Sequence, residues 1–290
     1  MWDPGKYLRY ADERARPFAE LLNRVDADKP RRGVDLGCGP GHLTVRLIER
    51  WPDAQVKALD SSPEMVAAAR ANGIDARVQD VRDWVPPADA DVVVCNAVLQ
   101  WVPGHEELLP RWAEALPPGA WLAVQVPGHQ RSPSHQLVRE FVADPRWGLD
   151  GVAQVRDVLD PMGYAELLEK AGCTVDAWET TYLQRLHGPD AVLEWLTGTT
   201  LRPIRAALND ERWADFCAQL GARLREAYPM RPDGTTWFPF RRVFCGARTG
   251  RRRSAAVHRR PLEPASAGPP RAGGCSRSPW LRRAWISRAR

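Results

Sequence analysis

The chain has 290 residues, 44% of them hydrophobic and 27% charged, a globular balance with room for one large domain or two small ones. Its net charge of +5 is carried by residues 251–290, where eleven Arg face one acid, Glu263, so residues 1–250 are mildly acidic and a phosphate-tracking cleft is not expected in the body. Six cysteines, at positions 38, 95, 173, 217, 245 and 275, include no CxxC pair, which excludes zinc spacing and fits a reducing compartment better than a disulfide framework.

Residues 1–31 are read as a helical arm, with Phe18, Leu21, Leu22 and Val25 at helical spacing and Pro17 placed in a first turn. Strand and helix then alternate. Arg32–Leu36 is a strand ending in a glycine turn, followed by a helix over Leu43–Trp51 with Leu43, Leu47 and Ile48 on one face. Gln55–Asp60 is a second strand, and Ser62-Pro63-Glu64 opens a helix that stops at Asn72-Gly73. Further strands are expected at Ala76–Asp80, Asp91–Asn96 and Ala120–Val126, with a helix over Glu106–Leu116 between the last two. Such alternation implies a parallel sheet covered on both faces.

Beyond this, Asp160-Pro161 caps a helix to Ala171, and long strands are expected over Thr174–Gln184 and Trp237–Ala247. Between them lies an insertion, 187–236, with helical periods at Ala191–Leu196 and Trp213–Tyr228. A hairpin needs only a few residues there, so the insertion is read as a cap over a site. Residues 251–290 lack apolar periodicity and are read as a disordered basic tail; an anchor on RNA or a membrane surface is the alternative. The amino end lacks the apolar core of a signal peptide, and no apolar run approaches the ~18–20 residues of a membrane span. The expectation is a cytoplasmic protein without membrane or nucleic-acid partners.

The strongest motif is Val34-Asp35-Leu36-Gly37-Cys38-Gly39-Pro40-Gly41, a strand running into GxGxG and then a helix. A turn without Cβ atoms lets a ligand approach backbone N–H groups and a helix N-terminus. The third glycine falls one residue earlier than in the dinucleotide GxGxxG, which disfavours an NAD-dependent oxidoreductase. Asp60 ends the second strand, where a carboxylate can accept both ribose hydroxyls. Asp80 ends the third and is placed to accept from an adenine amino group, and Asn96 ends the fourth. Any one of these could be a capping or surface residue; their recurrence at successive strand ends argues for a shared ligand.

This pattern resembles the class I S-adenosyl-L-methionine methyltransferases over residues 32–126. That resemblance implies an α/β, Rossmann-like fold: a mostly parallel seven-stranded sheet with an antiparallel last strand, and here a helical cap. More narrowly, the body to about residue 248 resembles the trans-aconitate 2-methyltransferase family. The stretches that carry this are Leu59-Asp60-Ser61-Ser62-Pro63-Glu64-Met65, Asn96-Ala97-Val98-Leu99-Gln100-Trp101-Val102-Pro103 and Phe238-Pro239-Phe240-Arg241-Arg242. The resemblance implies S-adenosyl-L-methionine as cofactor, held by Asp35, Gly37, Cys38, Gly39, Asp60, Ser61, Asp80, Val81, Asn96 and Gln100.

A carboxylic acid acceptor is already ionised at pH 7, so the reaction needs positioning and no general base, and no catalytic acid–base residue or metal is expected. A small polycarboxylic acid does need cationic clamps. Arg14, Arg16, Arg202 and either Arg241 or Arg242 are candidates, with Arg202 and Arg241 favoured because proline and apolar residues flank each. Trp101 and Tyr182 could wall the pocket. Cys95 sits mid-strand and is read as a buried hydrophobe, and His105, His129 and His135 as loop residues. A phenol or amine acceptor, or a nucleotide-binding protein without methyl transfer, are the competing readings.

Overall fold

Seven strands form one sheet in the order β3-β2-β1-β4-β5-β7-β6 in the computed structural model, which describes residues 11–152 and 157–250. They are β1 (Arg32–Leu36), β2 (Gln55–Asp60), β3 (Ala76–Val78), β4 (Ala90–Asn96), β5 (Trp121–Pro127), β6 (Cys173–His187) and β7 (Thr235–Thr249). The pairs among β1 to β5 are parallel, and β7 runs antiparallel to both β5 and β6. The expected sheet is therefore present, including its antiparallel last strand. β3 stops at Val78, so Asp80 lies two residues past the strand and caps a short turn over Val81–Asp83.

The strand cores are apolar because helices cover both faces. Val92, Val93, Val94 and Cys95 of β4 are wholly buried, which fits the reading of Cys95 as a small hydrophobe. On one face α4 (His105–Ala115) and α6 (Pro161–Lys170) pack Leu109, Trp112, Tyr164 and Leu168 against Val93, Cys95, Leu122 and Val124. On the other face α1 (Ala11–Asn23) and α2 (Thr44–Arg50) bring Phe18, Leu21, Leu22 and Leu47 onto Val92, Val94, Ala123 and Phe244. Ile48, expected with them, is 39% exposed, since α2 spans two turns and buries only its Thr44–Leu47 side. α3 (Pro63–Ala71) opens on Ser62, whose hydroxyl accepts from Met65 N at 3.3 Å, as the Ser-Pro signal indicates.

Two helices depart from the sequence reading. Pro17 lies inside α1, not in its first turn. A mid-helix proline costs about 3 kcal/mol, and burying Phe18, Leu21 and Leu22 offsets it at about 1.5–3 kcal/mol each. Glu20 adds a peg: its carboxylate accepts from Trp178 Nε1 (2.9 Å), Thr180 Oγ1 (2.6 Å) and the Tyr182 hydroxyl of β6. The second departure is α5 (Pro133–Ala143), which sequence reading passed over although Leu137, Val138, Phe141 and Val142 repeat at helical spacing behind Ser132-Pro133.

Between β6 and β7 lie α7 (Ala191–Thr197), α8 (Arg202–Ala207) and α9 (Asp210–Ala227). They share an apolar cluster with α5, in which Trp195, Leu220 and Leu224 join Phe141, Trp147 and Phe238. The β6–β7 hairpin pairs Cys173 with Thr249 at one end and His187 with Thr235 at the other, so the excursion leaves the sheet only past His187. Among the described residues the five cysteines are free, no group of acidic, His and Cys side chains could hold a metal, and no helix is long and apolar enough to cross a membrane. The expectations for residues 251–290 lie outside the described residues.

Candidate active site

The glycine turn is a bend held open. Gly37, Gly39 and Gly41 have φ of +77°, +55° and +79°, in the left-handed region where other residues are strained. Their N–H groups are committed: Gly37 and Cys38 donate to Leu59 O (2.8 and 3.0 Å) and Gly39 donates to Asp60 Oδ2 (2.9 Å). A Cβ on Gly37 would meet Val98 Cγ2 at 2.2 Å, whereas one on Gly39 would meet nothing within 4 Å. Gly37 therefore admits the loop after β4, and Gly39 borders open space.

Asp60 also accepts from Ser62 N at 2.9 Å through Oδ1. Each carboxylate oxygen has about two acceptor sites, so one on each remains. Asp80 is gripped by Arg82, whose side chain donates to Oδ1 (3.0 Å) and Oδ2 (2.7 Å), while Arg82 N also donates to Oδ1 (2.8 Å). This guanidinium holds the Asp80 carboxyl below the usual range, and leaves one acceptor site on Oδ2. Ser61, next to Asp60, is exposed, and Val81, the first residue of the turn that Asp80 caps, is buried. Asp35 is 3% exposed and accepts from Thr44 Oγ1 at 2.6 Å, which ties β1 to α2. Burial pushes its carboxyl up to about 6, against the Thr44 bond and with help from the Asp60 charge. Cys38 is 7% exposed, and burial raises its thiol, so it supplies packing rather than a nucleophile.

At the end of β4 the backbone is strained. Ala97 has φ +59° and is pinned at both ends, its N–H donating to Gln125 O (2.8 Å) and its carbonyl accepting from Gln100 Nε2 (2.7 Å). This kink sets Asn96 Oδ1 and Gln100 Oε1 as buried acceptors with no donor. Two orphaned amide oxygens suit the ammonium and sulfonium end of a cationic ligand. Trp101, half-buried, closes the same short turn.

Of the residues expected to bind the acceptor, Arg16 and Tyr182 are brought together. Tyr182 is 5% exposed under α1, with the Arg16 guanidinium 4.8 Å from its ring centre. Arg14 falls in α1, its side chain outside the described residues. Arg202 opens α8, two residues after Thr200. Arg241 donates to Glu179 across the β6–β7 ladder, and to Gly128 O at 3.1 Å. Its neighbour Arg242 points to the other face of β7 and is 5% exposed, its guanidinium 4.3 Å from the centre of the Phe240 ring.

Of the histidines read as loop residues, His129 does lie in the loop after β5 while His105 and His135 sit in helices, and all three are buried. His105 begins α4 and its Nε2 lies 2.8 Å from the Tyr164 hydroxyl. His135 sits in α5, with Nε2 3.1 Å from Thr200 Oγ1. His129 follows β5, its ring 4.1 Å from that of His135 and stacked at 4.5 Å on Phe240. Burial drives both imidazoles to the neutral form, His135 down to about 3. The signal that could have found them is the polar cluster His129-Gln130 breaking an apolar β5 exit.

The sequence model of the methyltransferase domain family matches residues 7–177. The chain is 61% identical over 248 residues to a trans-aconitate 2-methyltransferase of Rhodococcus jostii, covering 84% of this chain and 98% of that one. It is 52% identical to one of Mycobacterium tuberculosis, covering 86% and 97%. Among solved structures, the YcgJ protein of Bacillus subtilis superposes with a TM-score of 0.53 at 14% identity, covering 81% of this chain and 98% of that one. Phosphoethanolamine N-methyltransferase 2 of Haemonchus contortus, solved with S-adenosyl-L-methionine, gives 0.50 at 17% identity, covering 81% and 52%. At those identities the two structures speak to the fold alone. The donor set here fits that cofactor: open space at Gly39, spare acceptor sites on Asp60 and Asp80, and orphaned amide oxygens on Asn96 and Gln100. The chain belongs to the trans-aconitate 2-methyltransferase family of S-adenosyl-L-methionine-dependent methyltransferases.

Proposed function

We propose that this chain esterifies one carboxylate of a small polycarboxylic acid, trans-aconitate by the names of its relatives, using S-adenosyl-L-methionine. The observation that carries the reading is the match to those relatives across 97–98% of their length, acceptor half included. When bound, the cofactor supplies a methyl group on a positively charged sulfur. Asp60 would receive the ribose hydroxyls on its two spare acceptor sites, and Asp80 an adenine N–H on Oδ2. Asn96 and Gln100 would hold the cationic end from below, on the Ala97 kink, while Gly37, Cys38 and Gly39 shape the floor with Ser61 and Val81 at its rim. Asp35 acts one layer deeper, through Thr44.

The chain's part in the chemical step is to orient an ionised carboxylate oxygen and to exclude water. The His129 and His135 imidazoles, made weak bases by burial, and the raised Cys38 thiol agree with a step that needs neither a strong base nor a thiolate. The helices α7–α9 are the proposed cap on the acceptor side. The test is to incubate the protein with labelled S-adenosyl-L-methionine and a panel of small acids, phenols and amines. Labelled ester from trans-aconitate is the expected product; label confined to phenols or amines would overturn the acceptor, and none anywhere would overturn the activity.

A further inference from the structure

Of the two arginines favoured from sequence as carboxylate clamps, Arg241 is already engaged by Glu179, so a second cation beside it is worth seeking. The sheet face that carries Asn96 supplies one. Asn96 is in register with Gln125, Gln125 with Phe244, and Pro127 with Arg242, so Asn96, Gln125 and Arg242 point to one side of β4, β5 and β7. Gln125 and Arg242 are diagonal neighbours across an antiparallel pair, within reach of long side chains.

This corner is polar where an apolar core is expected. Gln125 is 1% exposed, and neither its Nε2 nor its Oε1 has a hydrogen-bond partner. His129, 7% exposed, likewise has a buried Nδ1 without one. Each such group costs about 1–3 kcal/mol, so three in one corner are costly unless a ligand satisfies them. His129 and Arg242 both lie against Phe240, and His135 links the corner to Thr200 between α7 and α8. The corner thus joins the cofactor-side residue Asn96 to the helices between β6 and β7.

We propose that Arg242, the Gln125 amide and the His129 imidazole form the subsite that binds a carboxylate of the acceptor. Arg242 supplies the charge and a planar fork, and Gln125 Nε2 and a neutral His129 N–H supply directed donors. The inference rests on the polycarboxylate reading above, and adds which residues read the acid.

The test uses the full chain with trans-aconitate and a dicarboxylic analogue, following the KM of each and the cofactor KM separately. Arg242→Met should raise the trans-aconitate KM at least about tenfold and leave the cofactor KM within about twofold. Arg242→Lys should recover part of the loss, because the charge returns without the fork. Removing a carboxylate from the acceptor should then cost less in Arg242→Met than in the wild type. Arg241→Met, which breaks the pair with Glu179, should leave the acceptor KM unchanged. Because Arg242 is buried, Gln125→Leu is the second probe: it is close in volume, removes two orphaned atoms, and should also raise the acceptor KM alone. Unchanged acceptor KM in folded Gln125→Leu and Arg242→Lys, while the wild type methylates trans-aconitate, overturns the subsite and leaves the activity standing. A wild type that methylates no polycarboxylate overturns both.

Discussion

Substituting Gly37 by Ala strains the turn in two separable ways. At φ +77° an L-residue costs about 1–2 kcal/mol. The new Cβ also meets Val98 Cγ2 at 2.2 Å, more than 1 Å inside ordinary contact, and overpacking of that kind costs about 1–3 kcal/mol. Gly37→Ala should therefore destabilise the protein by about 2–5 kcal/mol. Val98→Ala removes both methyls and leaves only Val98 Cβ, at 3.3 Å. In that background the second substitution should cost only the backbone part, a coupling of about 1–3 kcal/mol. The four proteins of the cycle can be compared by urea denaturation, with S-adenosylhomocysteine calorimetry as a second readout. Cofactor affinity should fall in Gly37→Ala and recover in part in the double variant, because Val98 follows the Ala97 kink. Equal costs in the wild-type and Val98→Ala backgrounds would refute the close approach.

Two further outcomes follow from the same region. The Asp35 carboxyl is raised by burial to about 6, so the folded state binds its proton more tightly than the unfolded chain and stability is lost as pH rises from about 4 through 6. Asp35→Asn should abolish that slope and gain up to about 3 kcal/mol relative to wild type above pH 7; parallel stability curves for the two between pH 4 and 7 would show that Asp35 does not titrate there. Ala97→Gly should relieve the left-handed strain, a net gain of about 0.5–1 kcal/mol after the entropy of glycine. It should also weaken S-adenosylhomocysteine binding by loosening Asn96 and Gln100, and tighter binding on calorimetry would contradict the role given to the kink.

The sheet was legible because its signals are local: the Ser62 cap, the Asn72-Gly73 stop and the apolar runs of β1, β2 and β4 each act within a few residues. Asp60 at the end of β2 was legible for the same reason, whereas Asp80 lies two residues past the end of β3. The proposed acceptor subsite was not legible, since its residues meet only through long-range pairing. Nothing near Arg241 in sequence reveals Glu179, 62 residues away, and the two-residue period that turns Arg242 inward depends on strand register. Pro17 misled because its helix is sustained by burial and by the Glu20 bonds, a tertiary override of propensity. His129 and His135 were given no role beyond the loop because a buried, neutral imidazole leaves no sequence mark apart from its neighbours.

The long β6–β7 hairpin has a consequence for how such an enzyme could change its acceptor. Both ends of the 188–234 excursion emerge from the same pair of fifteen-residue strands, so its anchor points stay fixed whatever the helices between them do. The cofactor half, built on β1 to β4, shares no strand with that anchor. Substitutions, insertions or deletions in the excursion can therefore reshape the helices proposed as the cap while the glycine turn, Asp60 and the Ala97 kink keep their geometry. The hairpin divides the chain into a constant part and a variable part, much as a tool handle accepts different heads.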